Sequence, residues 1–217
     1  LARLVLSLTL LLWAAAAAAQ DPGREPRGEP GAFDYWLLSL SWSPTHCAEE
    51  ERRDATQCGP GRRFGFVVHG LWPQWERGSW PQFCSAARDV PRPVEDGILP
   101  IMPSRGLVGH QWRKHGTCSG LDAAGYFAKV RAAWERVAVP EPLRAPDRPV
   151  NLSVPEIERL FSKANPGLDG DEMAVVCRGP NVAEIRICLD EGLRFRRCGR
   201  GVEDRCRPGE AMFRPVR

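Results

Sequence analysis

The chain has 217 residues, 43% of them hydrophobic and 26% charged. That excludes a wholly disordered or fibrous protein and fits one domain, or two small ones, with a sizeable core. Thirty basic residues against 27 acidic leave a formal charge of only +3. A strongly basic nucleic-acid coat protein is thereby excluded, and any polyanion must be held by a local patch.

In chain order, Arg3 and the uncharged run Leu4 to Ala19 predict a secretory signal peptide over residues 1–19, cleaved near Ala19-Gln20. A membrane helix would need about 20 apolar residues. Residues 20–31, rich in Pro, Gly and charge, predict a flexible leader to a single domain over 32–217. Phe33 to Ser41 and Arg63 to His69 predict strands, with Gly70 turning the chain and leaving His69 at a strand end. The proline-dense stretch Asp89 to Gly106 predicts an irregular loop, followed by a short helix that ends at Gly116.

Asp122 caps a predicted helix to about Val137, with Tyr126, Phe127, Val130, Trp134 and Val137 as its core face. A Pro-rich loop follows, from Pro140 to Pro149. Ser153 and Glu156 form a capping box for a helix to about Ala164. Met173–Cys177, Val182–Leu189 and Leu193–Cys198 read as strands, with Asp190-Glu191-Gly192 turning the last two into a hairpin. Helices segregated between strand groups predict an α+β domain.

Eight cysteines in a chain with an export signal favour disulfides over metal or redox use, and no Cys-x-x-Cys occurs. Cys47 and Cys58 suit a short loop closure. Cys188 and Cys198 flank the predicted hairpin. Spacing leaves the other four cysteines unassigned.

The four histidines are His46, His69, His110 and His115. On a helix His110 shares a face with Lys114, and Gln111 shares the neighbouring row with His115. Imidazoles, an ammonium and an amide then form one patch suited to phosphate. A zinc site is disfavoured, because the histidines are five apart, no carboxylate lies between them and Lys114 repels a cation. Two imidazoles with ordinary pKa values of about 6.5 can serve together as base and acid near neutral pH. RNA supplies its own nucleophile, the 2′-hydroxyl; DNA has none, and no metal is needed.

The segments FVVHGLWPQ and HQWRKHGTC resemble the two active-site segments of the ribonuclease T2 family of secreted endoribonucleases. FDYWLLSLSWSPTHC is similar to the family's first strand, and VVC…ICLD…RRC…RC to its terminal cysteine pattern. The resemblance implies a central antiparallel sheet with flanking helices, single-stranded RNA as substrate, 2′,3′-cyclic phosphate products, low base specificity and no cofactor. By position it makes His69 the general acid and His115 the general base. His110 would bind the phosphate and Lys114 would stabilise the transition state. Trp72 and Gln74 fall where the family has base-contacting residues. The implied bridges are Cys84–Cys118, Cys177–Cys206 and Cys188–Cys198, which leaves Cys47–Cys58.

Gln111 stands in the active-site segment where many members carry Glu. It predicts weaker activity or a shifted pH profile, and it motivates the alternative of an inactive RNA-binding or signalling module. His46 reads as a loop residue, and Ser41 replaces a Gln common in plant relatives. The expected location is secreted or periplasmic, or lysosomal or vacuolar in a eukaryote, with a monomer as the default.

Overall fold

The computed structural model describes residues 26–50, 54–87 and 89–217. The predicted signal peptide and most of the leader lie outside the described residues. Residues 26–31 lie against the domain: Arg27 and Gln82 form a backbone bridge, and the Gly31 N–H donates to the Cys118 carbonyl.

The strands are β1 Tyr35–Trp42, β2 Phe66–Gln74, β3 Val150–Ser153, β4 Met173–Arg178, β5 Asn181–Leu189 and β6 Glu210–Phe213. The helices are α1 Ser43–Glu50, α2 Ala55–Cys58, α3 Arg92–Ile98, α4 Arg105–Lys114, α5 Ala123–Glu135 and α6 Val154–Ala164. The six strands form one sheet in the order β2-β1-β5-β6-β3, with β4 also on β5. Every pairing is antiparallel except β5–β6, which meet in parallel at one residue pair, Asn181 and Met212. The α+β architecture is the expected one. No helix among the described residues is long and apolar enough to cross a membrane.

β1 is a central strand buried on both faces, and its alternation sorts the side chains. Trp36, Leu38, Leu40 and Trp42 enter the main core, while Tyr35 and Leu37 pack with Cys188 in a second cluster. The main core also takes Val108 and Trp112 from α4, Tyr126, Phe127 and Val130 from α5, and Ile157 and Phe161 from α6. Trp134, expected in this core, is only partly buried against it. The α5 cap is as expected, with the Gly125 N–H donating to Asp122 Oδ1 at 2.7 Å. In the α6 capping box the Ser153 N–H donates to Glu156 Oε2 at 2.8 Å.

Several expectations are corrected. The stretch expected as irregular loop contains α3, because Pro93 falls in the first helical turn, where a missing N–H costs nothing. Leu193–Cys198 is not a strand and keeps a single bridge, Phe195 to Leu189. Leu193 adopts φ 62°, and the Cys198 N–H leaves the sheet to donate to the Asp171 carbonyl. Arg196 and Arg197 pair with Glu76 and Asp171 away from β5. His46 lies on α1 rather than a loop and meets Asp54 Oδ2 at 3.0 Å. β3 and β6, four residues each, pair with one another. The disulfides are Cys47–Cys58, Cys84–Cys118, Cys177–Cys206 and Cys188–Cys198.

Candidate active site

The strand carrying His69 does not end there; it runs on to Gln74. Ser39 pairs with Gly70 and Leu40 with Val68, so His69 is the extra residue of a β-bulge. One inserted residue changes which side chains face the core. Phe66 and Val68 lie in the core two apart, then Leu71 follows at a spacing of three. Gly70 lacks the positive φ of a sharp turn. It is glycine for space, because a Cβ there would collide with Trp72 Nε1 and Gln111 Oε1. Gly70→Ala is therefore expected to destabilise the fold by about 1–3 kcal/mol. Denaturant unfolding would read this; unchanged stability would show that Trp72 and Gln111 move aside freely.

The register places a second set of groups beside His69. Across β1, Ser39 pairs with Arg186 and Ser41 with Glu184. The small serines let side chains of the two strands flanking β1 approach one another over it. His69 Nδ1 lies 2.8 Å from Glu184 Oε1, and Arg186 donates to Glu184 Oε2 at 2.7 Å. The Glu184 side chain is only 12% exposed. Burial raises its pKa, but the hydrogen bond and charge of His69, with Arg186, outweigh that and hold it at about 2. Glu184 thus stays ionised wherever histidines titrate. Neither Glu184 nor Arg186 was found by sequence reasoning. The available signal was two charges at alternate positions between the buried residues Ala183, Ile185 and Ile187.

His110 lies within α4, and His115 follows at its C-terminal end. Ser104 caps its start, accepting from the Leu107 N–H at 3.3 Å. The helix stops at Lys114, and His115 is the C-cap, its N–H donating to the Gln111 carbonyl at 3.0 Å. A short 3₁₀ turn, Gly116–Cys118, follows. The Cys84–Cys118 bridge and the Phe83 N–H, which donates to the Lys114 carbonyl, hold this turn.

His115 is 6% exposed, and its Nδ1 has no hydrogen-bond partner among the described residues. Burial, then the charges of Lys114, His110 and His69, push its pKa well below the usual 6.5. The ring is therefore neutral at neutral pH, with a lone pair free to accept a proton. His110, on the same helix, is exposed to solvent.

Trp72 joins the two halves of the site. Its ring stacks on His115 at 5.3 Å and meets His69 edge-on at 5.2 Å. Arg186 lies 5.5 Å over the same ring, and Trp72 Nε1 donates to Gln111 Oε1 at 2.7 Å. Trp72 is thus committed to holding the histidines. Gln111 is 1% exposed and acts as the acceptor that fixes Trp72. The structure therefore gathers His69, Trp72, Gln111 and His115, with the charges of His110 and Lys114 beside His115. It does not bring Gln74 to them. That residue pairs with Tyr35 at the far end of β2, 5% exposed, its amide donating to the Pro73 carbonyl at 3.0 Å. A cavity of about 130 Å³ opens beside His69, lined by Ser41, His46, Asp54, Gln57 and Glu184 among others.

A site with an ionised carboxylate behind one imidazole, a second imidazole that is buried and neutral, and Lys114 and His110 close by suits proton transfer at a phosphodiester. The model of the Ribonuclease T2 family matches residues 33–198. A "Ribonuclease" of Aeromonas hydrophila is 44% identical over 117 residues, covering 54% of this chain and 49% of that protein. A "Probable ribonuclease" of Haemophilus influenzae is 31% identical over 178 residues, covering 76% and 61%. The chain thus spans about half to three-fifths of these relatives' lengths. Among solved structures, the RNase-related protein from Calystegia sepium superposes with a TM-score of 0.68 at 23% identity, over 85% of this chain and 98% of that one. RNase NT, solved in complex with 5′-AMP, superposes at 0.62 with 20% identity, over 84% and 98%.

Proposed function

We propose that this chain, which belongs to the ribonuclease T2 family, is a metal-independent endoribonuclease that cleaves single-stranded RNA to 2′,3′-cyclic phosphate ends. The observation that carries the reading is the pair His69 and His115 held on either side of Trp72 in different electrostatic settings. Neutral His115 takes the proton of the 2′-hydroxyl. The freed oxygen attacks phosphorus, and the bond to the 5′-oxygen breaks. As the acid, His69 is protonated on both nitrogens. Nδ1–H is committed to Glu184, so Nε2–H is the proton delivered to the departing 5′-oxygen. Lys114 and His110 stabilise charge on the non-bridging oxygens. Each ring ends in the other's starting state, so slow hydrolysis of the cyclic phosphate can use the reverse roles.

Every base on a single strand presents the same ribose and phosphate, so this chemistry does not depend on base identity. The implied environment is an oxidising one reached by export, supported by the four disulfides.

The test uses oxidised protein in EDTA, with single-stranded RNA and DNA of one sequence across pH 4–8. The expected result is RNA cut to 2′,3′-cyclic ends, identified by mass, with DNA intact. Cleavage abolished by EDTA, or DNA cut equally well, would overturn the mechanism. RNA bound but uncut at every pH would point to the binding module instead.

A further inference from the structure

We propose that a second site, on the opposite face of α1 from the histidines, binds a backbone phosphodiester of extended RNA through Arg62 and Arg214, with Arg217 at its rim. This rests on the ribonuclease reading above and extends it beyond the scissile bond.

The site is a concavity of about 260 Å³ whose lining includes Ser43, Gln57, Cys58 and these three arginines. Arg214 is held firmly. Its carbonyl accepts from core Trp42 Nε1 at 3.0 Å, and Phe213 and Val216 on either side are buried. Its Nε is also buried, with no hydrogen-bond partner among the described residues. That edge of the guanidinium therefore faces the fold, and the rest of the side chain is what Arg214 presents to the concavity.

Arg62 projects from the turn after α2, where its N–H donates to the Gly59 carbonyl at 3.1 Å. The Cys47–Cys58 disulfide clamps that turn to α1. No side-chain carboxylate among the described residues lines the concavity. Of the acids described on α1 and at the start of α2, Glu49 pairs with Arg178, and Asp54 with His46. Guanidinium groups lining one concavity, with no carboxylate side chain among its described lining residues, fit the oxygens of a phosphate.

Its position favours a phosphate within a strand over a free one. Gln57 lines both this concavity and the cavity beside His69. Ser43, Pro44, Cys47 and Ala48 of α1 face the arginines, while Thr45 and His46 face the other cavity. A strand leaving His69 must cross α1, a width of about 10 Å. A dinucleotide at the histidines cannot reach the arginines, and a longer RNA can.

The test compares wild type with Arg62→Gln, Arg214→Gln and the double variant. Substrates are a ribodinucleotide and an RNA of about 20 nucleotides. The double variant is expected to raise KM for the long RNA about 3–10-fold. It should also flatten the salt dependence by about 0.7 in log–log slope for each phosphate no longer neutralised. Its kcat/KM for the dinucleotide should be unchanged, which also certifies folding. Equal effects on both substrates, or none on the long one, would overturn the proposal.

An uncleaved 20-nucleotide DNA of the same sequence gives a binding readout independent of turnover. If wild type cuts no RNA, the ribonuclease reading fails, and the arginine site still stands or falls on this Kd. Titration with inorganic phosphate separates the two sources. Arginine-dependent phosphate binding without any effect on oligonucleotides would assign the site to the free ion and overturn the strand reading.

Discussion

Replacing His115 with alanine is expected to lower kcat/KM on single-stranded RNA by about 10²–10⁴-fold, and His69→Ala by a similar factor. Binding of an uncleavable DNA oligonucleotide should change far less, because neither ring is the main source of positive charge at the site. The two losses differ in origin. Without His115 nothing accepts the 2′-hydroxyl proton; without His69 the 5′-oxygen departs unprotonated.

His115 also has a linkage signature. Its folded-state pKa lies well below that of the unfolded chain, first because the ring is buried and then because Lys114, His110 and His69 repel a further charge. Below about pH 6.5 the unfolded chain takes up a proton that the folded chain refuses, so stability falls with pH. His115→Ala removes that loss. Its stability relative to wild type should therefore improve as pH drops through this window. Denaturant curves at pH 7.5 and 5 would read the effect beside the kinetic one. Turnover within a few-fold of wild type in either variant would refute the assigned roles.

Glu184→Gln is expected to cut kcat by about 10–100-fold, the scale of losses seen when a partner that orients a functional imidazole is removed. The amide has nearly the same shape but no charge, and its NH₂ can face Nδ1, favouring the wrong tautomer of His69. Arg186, only 20% exposed, then loses its carboxylate and adds unbalanced positive charge beside the protonated ring. The alkaline limb of the pH–rate profile should move to lower pH, because the protonated acid is less well supported. Glu184→Asp keeps the charge and should recover much of the rate. A stability loss with an unshifted pH profile would make Glu184 a purely structural residue.

How much of this was legible differs by element. His69 and His115 could be singled out directly as candidates, because two short local segments carry them and few residue types transfer protons near neutral pH; the fold brings both to Trp72. Helices α5 and α6 were equally legible: Asp122 and the Ser153–Glu156 pair satisfy orphan N–H groups within a single turn. The strand after Asp190 was misread, since a pattern of alternating residues says nothing of Asp171 and Glu76, which draw Arg197 and Arg196 elsewhere. Gln74 was assigned by its place in a motif, yet the last turn of the pleat buries it away from the histidines.

By itself, then, the chain determined residue types, cap positions and the α+β class, because those follow from interactions a few residues apart. The tertiary structure decided what needed a partner strand. The bulge that turns His69 exists only against β1. Glu184 reaches His69 across 115 residues of sequence, over serines whose small size matters only in that register. Arg62 and Arg214 become one site only because Trp42 and the Cys47–Cys58 bridge bring distant segments together. Long-range pairing and burial set these contacts, and neither has a local signature in the chain.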